Sequence, residues 1–246
     1  MSTNDLRKVH WLTPDDPPEN FPDPSQALHE PNGLLAIGGD LSTSRLLYAY
    51  ERGIFPWYQD DQPVLWWSPD PRAVLFPPEY HASRSLRRTA RRHDYSVSID
   101  QSFVDVIRSC AQTRADTGTW ITPDMDAAFI ELHRLGHAHS IEIWRDKTLV
   151  GGVYGINIGR VFFGESMFSR EADTSKLALL KLTRLCEEFG IGLIDCQVAS
   201  RHLASLGSRE ISRAEFNKLL GRLTAFPSPA SWQRPLASLD PDLFED

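Results

Sequence analysis

Between Ser140 and Phe168 the chain has little freedom in what it can become. SIEIW (140–144), TLVGGVYGINIG (148–159) and RVFFGESMF (160–168) are β-branched and aromatic runs separated by very few residues. Runs this close together read as consecutive antiparallel strands, because a parallel return needs a crossover of a dozen or more residues. Strands so apolar need cover, and the flanking sequence supplies it as helices.

Phe103, Val106, Ile107 and Cys110 recur at helical spacing behind the alternating strand YSVSID (95–100). Thr122 and Pro123 open a second helix, carrying Met125, Ala128, Phe129, Leu132 and Leu135 and closing at Gly136. Residues 176–189 form a strongly apolar helix ended by Gly190, and IGLIDCQV (191–198) reads as a buried strand. Ser212 with Glu215 is a capping box that opens a last helix. Earlier in the chain, Ser42 caps a short helix with Leu46, Leu47 and Tyr50 that stops at Gly53. The first 30 residues, rich in proline and acid, read as an irregular surface arm. Pro56, Pro63, Pro69 and Pro71 forbid a continuous helix through the tryptophan-rich stretch 53–76. A domain boundary is placed near Pro69–Pro71, giving a small N-terminal domain (1–70) and a larger one (71–246). The fold class is α+β, with a mixed sheet flanked by helices in the larger domain.

No run approaches the roughly 18 apolar residues of a membrane span, and the first twenty residues lack the apolar core of a signal peptide. A cytoplasmic protein is expected. Cys110, Cys186 and Cys196 have no metal-ligand spacing and fit reduced thiols. The net charge of −7 makes non-specific nucleic-acid binding poor. Any RNA must therefore be held by a local patch, and RSLRRTARR (84–92) offers one. Arg84, Arg87, Arg88, Arg91 and Arg92 fall within an arc of about 140° on a helix, at about 100° per residue, with Leu86 and Ala90 pointing away. No acid interrupts them, which favours a phosphate backbone over a merely solvated face.

Four constellations carry possible chemistry. Asp195 and Gln197 lie two apart on a strand and so on one face, at the end of an apolar run. Such a pair either holds an attacking amine toward a carbonyl or ties the strand end to a neighbouring loop. Glu165, between Gly164 and Ser166, either receives a cationic side chain or pairs internally with Arg170, and the residues alone favour the internal pair. Trp57 and Trp120 sit in segments where a ring can be left open to stack on a base, or else simply pack. His133, His137 and His139 are interrupted by Gly136 and read as helix-end and strand-edge residues, so no metal is expected. GGDLS (38–42) lacks the GK[ST] of a phosphate loop, and GESMF lacks the closing glycine of a nucleophile elbow.

Taken together the segments resemble a known family. They are EPNGLLAIGGDLS (30–42), GIFPWY (53–58), LWWSPDPRAVL (65–75), GTWIT (118–122), GHAHSIEIW (136–144), GGVYG (151–155), FFGESMFSR (162–170), IDCQ (194–197) and HLASLGS (202–208). In this order and spacing, over roughly residues 21–220, they resemble the bacterial leucyl/phenylalanyl-tRNA protein transferases. The resemblance implies a GNAT-like acyltransferase core in the larger domain and no metal or organic cofactor. It implies transfer of Leu or Phe, and Met less well, from aminoacyl-tRNA to proteins that begin with Arg or Lys, marking them for degradation. It implies Asp195 and Gln197 as the catalytic pair and Glu165, beside Gly164, as the acid facing the acceptor's basic side chain. Trp57 and Trp120 would hold the terminal adenosine, Phe162 and Val153 would line the amino-acid pocket, and the five arginines would grip tRNA. A monomer is expected. Two rivals remain: an acyl-CoA-dependent N-acyltransferase, although no R-x-x-G-x-G loop is present, and a non-catalytic RNA-binding protein built on the arginine helix.

Overall fold

Asp146 and Lys147 turn the chain back on itself with φ of 46° and 65°, the paired left-handed conformation that a two-residue hairpin turn requires. This turn joins β7 (Ala138–Arg145) to β8 (Thr148–Ile158), and Gly159–Arg160 joins β8 to β9 (Val161–Ser169). The three strands pair antiparallel throughout, as their sequence predicts. Register shifts between Tyr154 and Gly155. A side chain at Gly155 would put its Cβ within 2.1 Å of the Phe163 carbonyl oxygen, so the close approach there demands glycine.

A computed structural model describes residues 9–91, 95–113, 121–232 and 234–238. The meander is the middle of an eight-stranded sheet. On one side of it stand β6 (Ser96–Ile99) and β12 (Arg234–Ser238), and on the other β10 (Leu193–Gln197), β5 (Arg72–Leu75) and β11 (Arg209–Ile211). β10 runs parallel to β9, with Asp195 opposite Phe163, while its other neighbour β5 is antiparallel. The mixed sheet flanked by helices is therefore present.

Helices cover both faces. On one lie α3 (Phe103–Gln112) and α4 (Pro123–Arg134), burying Phe103, Val106, Ile107, Cys110, Met125, Phe129 and Leu132. The Thr122 hydroxyl accepts from the Met125 N–H, the cap expected of it. Leu135 differs: it is the C-terminal cap of α4, which ends at Arg134, and stays 44% exposed where the chain leaves the helix for the turn at Gly136. On the opposite face α5 (Thr174–Phe189) buries Leu177, Leu180, Leu182 and Leu185, each contributing roughly 1.5–3 kcal/mol. Beside it packs α2 (Arg84–Ala90) through Leu86 and Ala90. After β10 come the short α6 (Arg201–Ala204) and then α7 (Arg213–Leu223), where Ser212 Oγ accepts from the Glu215 N–H.

The N-terminal part contributes a second sheet, in the order β1 (His10–Leu12), β2 (Leu34–Gly38), β4 (Leu65–Trp67), β3 (Phe55–Pro56). α1 (Thr43–Tyr50) packs against it. The expected surface arm is thus corrected in part, since residues 10–12 form an edge strand parallel to β2. Its backbone hydrogen bonds to β2 outweigh the proline-rich composition that surrounds it. One continuous apolar cluster, from Leu35, Leu46 and Trp66 to Phe129, Phe163 and Phe216, runs under both sheets. Among the described residues no helix is long and apolar enough to cross a membrane.

Candidate active site

The end of β10 departs from a straight strand. Asp195 faces Val74 and Gln197 faces Ala73 on β5, so the pairing shifts register between them at Cys196. Gln197 has φ of 58°, a conformation that costs a non-glycine residue about 1–3 kcal/mol. Its backbone N–H is held at 2.9 Å by Oδ1 of Asp195. The two residues are therefore brought together by a bulge and a hydrogen bond, not by the simple alternation expected of them.

Asp195 is fully buried, and its partner is a residue that the sequence pattern did not single out. Arg72 donates from Nε to Oδ1 at 2.8 Å and from Nη2 to Oδ2 at 2.6 Å. Its remaining nitrogen donates to the Gly53 carbonyl at 3.0 Å, and its guanidinium lies over the rings of Phe55 and Phe216. The signal was present: an arginine opening the apolar run AVLF must be paired if that run is a buried strand.

Glu165, on β9, stands beside this pair. The Gln197 side-chain amide donates to its Oε1 at 2.9 Å, and the Tyr50 hydroxyl donates to the same oxygen at 2.7 Å. The internal pairing of Glu165 with Arg170 is overturned. Arg170 instead donates to the Leu149 carbonyl and to Ser109 Oγ and lies over Phe168, because its strand end points away toward α3. Burial pushes the Glu165 carboxyl up to about 8, against the hydrogen bonds from Tyr50 and Gln197, which favour its charged form.

Glu165 and Gln197 line a cavity of about 630 Å³ between the two sheets. Phe55 and Trp57 form its N-terminal wall, and Val153, Leu179, Leu182 and Ile194 its apolar floor. Gly164 lines it too. Trp57 is 44% exposed, its ring tilted against Trp67 at 6.0 Å and its carbonyl accepting from Trp67 Nε1. Phe162 is not among the lining residues; it is buried and packs at 5.5 Å on Trp232. Trp120 lies outside the described residues, as does Arg92. Leu179, Leu182, Cys196, Val198 and His202 line the cavity without any sign of it in the sequence, since an apolar helix face looks alike whether it meets a core or a ligand.

On α2 and its C-terminal cap, Arg84, Arg88 and Arg91 are exposed and Arg87 is half-buried, donating from Nε to the Ala82 carbonyl. Leu86 and Ala90 anchor the opposite side. The histidines serve structure: His133 stacks on Phe103 at 4.2 Å, and His139 bonds Asp100 at 2.8 Å and stacks on Trp232. Among the described residues no group of three or more His, Cys, Asp or Glu is placed to hold a metal ion.

The family model for leucyl/phenylalanyl-tRNA protein transferase matches residues 74–221, and the model for the N-terminal domain of that name matches residues 39–70. A leucyl/phenylalanyl-tRNA protein transferase of Pseudomonas entomophila (strain L48) is 56% identical over 226 residues, 91% of this chain and 99% of its own. Its counterpart in Stutzerimonas stutzeri (strain A1501) is 53% identical over 224 residues, 91% of this chain and 98% of its own. Among solved structures, L-PGS from Bacillus licheniformis covers 68% of this chain and 54% of its own, at 10% identity and a TM-score of 0.40. That distance is too great to say anything of function.

Proposed function

From the premise that this chain belongs to the leucyl/phenylalanyl-tRNA protein transferase family, an aminoacyltransferase that moves an amino acid from its tRNA to the amino end of a protein, we propose its substrates and the residues that serve them. The donors are Leu-tRNA and Phe-tRNA, with Met less favoured, and the acceptors are proteins that begin with Arg or Lys. The added residue marks those proteins for degradation. The enzyme works in the cytoplasm as a monomer, without cofactor. Residues 1–70 and 71–246 are its two domains, a reading supported by the segregation of one sheet into residues 10–67 and the other into residues 72–238. The larger domain is the GNAT-like acyltransferase core.

The observation that carries this reading is the bond from the Gln197 amide to Glu165 at the wall of the cavity. The amide's NH₂ is turned to the carboxyl, so its oxygen is turned away and can accept from an attacking amine. The carboxyl that orients it is the group suited to a cationic acceptor side chain. One acid would thus select the acceptor and aim the amide that receives it.

An aminoacyl ester is already activated, so no covalent enzyme intermediate is needed. The acceptor's neutral α-amine attacks the ester carbonyl, the amide bond forms, and the ribose hydroxyl of the tRNA leaves. Holding two reactants in place can lower the barrier by up to about 7–11 kcal/mol. Gln197 positions the amine but is far too weakly basic to keep its proton. Asp195 is sealed from the cavity with both oxygens engaged, so a water or a tRNA hydroxyl takes the proton. Trp57 and Trp120 hold the terminal adenosine, and Val153 and Gly164 shape the amino-acid site, from which Phe162 is withdrawn by its packing on Trp232. Arg84, Arg87, Arg88, Arg91 and Arg92 hold tRNA phosphates.

The test is transfer of radiolabelled Leu or Phe from charged tRNA to a peptide beginning with Arg. A peptide beginning with Ala and a Glu165→Ala enzyme serve as controls. Label on the Arg peptide alone, lost in the variant, supports the reading. Equal label on both peptides, or full activity of the variant, overturns the assignment of Glu165.

A further inference from the structure

We propose that Arg72 is a positioning residue for the transfer reaction, acting through Asp195 on Gln197 and through Gly53 on the segment that carries Trp57. The proposal rests on the reading of Gln197 given above. Arg72 is 1% exposed and does not line the cavity, so it touches neither reactant. Its bonds nevertheless run to both sides of the site. Two go to the Asp195 carboxylate, at 2.8 Å and 2.6 Å, and Oδ1 of that carboxylate pins the N–H of Gln197 in its left-handed conformation. The third goes to the carbonyl of Gly53, four residues before Trp57.

A planar fork with donors on several edges can satisfy both sides at once; an ammonium is a point charge and cannot. The rings of Phe55 and Phe216, 4.7 Å and 4.6 Å from the guanidinium carbon, hold that plane in register. The N-terminal segment also approaches α7 closely here, since a Cβ at Gly53 would lie 2.7 Å from the Phe216 ring. Arg72 thereby couples the wall that carries Trp57 to the strand bulge that aims Gln197. The separation of those two walls sets how the donor ester meets the amine.

The experiment is a kinetic cycle with Arg72→Lys, Gln197→Ala and the double variant, measured as kcat with saturating Phe-tRNA and Arg peptide. Tm and tRNA affinity are recorded for each protein. Arg72→Lys keeps the charge but loses the fork, and a displacement of about 1 Å costs on the order of 100-fold in rate. We expect kcat to fall by about that factor, most of this loss to disappear once Gln197 is Ala, and tRNA affinity to weaken in step with the displacement of Trp57. A merely structural role predicts an equal further loss in both backgrounds, and that result, or wild-type kcat in Arg72→Lys, overturns the proposal. Wild-type kcat in Gln197→Ala would instead sink the assignment of Gln197 itself. Should Arg72→Lys not fold, the cycle is run with Arg72→Gln/Asp195→Asn, which removes both buried charges together, and the same non-additivity decides.

Discussion

Tyr50, the last residue of α1, donates its hydroxyl to Oε1 of Glu165 across 2.7 Å, joining positions 115 residues apart in the chain. The bond favours the charged carboxyl, while burial opposes it and prevails, leaving Glu165 at about 8. If Glu165 receives the cationic side chain of the acceptor, as proposed, that recognition strengthens as pH rises.

Below about 8 the Glu165 carboxyl is mainly neutral, and above it mainly charged, so kcat/KM for an Arg peptide should rise with pH through that value. Removing the Tyr50 hydroxyl removes a bond that lowers the pKa, so in Tyr50→Phe the inflection should move to higher pH. The peptide's own amine also titrates near 8, but identically with both enzymes. A profile of Tyr50→Phe that overlays the wild type would refute this link.

Gln197→Ala removes the oxygen proposed to receive the amine while leaving a side chain small enough to fit the bulge. Turnover should fall by about 100-fold or more, the scale of a lost positioning or proton-handling group. Affinity for charged tRNA should stay within about twofold. Single-turnover transfer together with filter binding separates the two quantities.

The arginines of α2 should act through charge alone. Replacing Arg84, Arg88 and Arg91, all exposed, with Gln should weaken tRNA binding. It should also lower the slope of log affinity against log salt by roughly 0.7–0.9 for each phosphate no longer neutralised. Rate at saturating tRNA should hold. Affinity measured from low to moderate salt checks it, and an unchanged slope removes α2 from the interface.

Trp232 lies beyond residue 221, where the family model ends, yet it is 2% exposed and packs against His139, Phe162 and Phe189. Trp232→Ala should cost about 3–5 kcal/mol in urea unfolding, as large buried aromatics do. A loss under about 1 kcal/mol, well below that range, would mean that the tail is only lightly seated.

Much of this protein is readable from local pattern. The strands at 138–169, the caps at Thr122 and Ser212, and the apolar back of the arginine helix each follow from neighbours within a few residues. Periodicity, turn chemistry and capping are short-range physics, so the sequence carries them in plain view. The ordered motifs from residue 30 to residue 208 likewise identify the family without coordinates. The edge strand at 10–12 was hidden because its stability comes from pairing with β2, not from its own composition.

The connections inside the site were not legible. Asp195 and Gln197 were visible as a pair, but Arg72 stands 123 residues from Asp195. Glu165 lay close in sequence to Arg170, yet it is bonded by Tyr50 and Gln197. A buried charge must find a partner, and the sequence states that need without saying where it is met. The tertiary structure alone decided which distant groups came within hydrogen-bond reach. It did so by packing the N-terminal sheet and α1 onto the same apolar cluster as the strands of the larger sheet, closing the cavity between them.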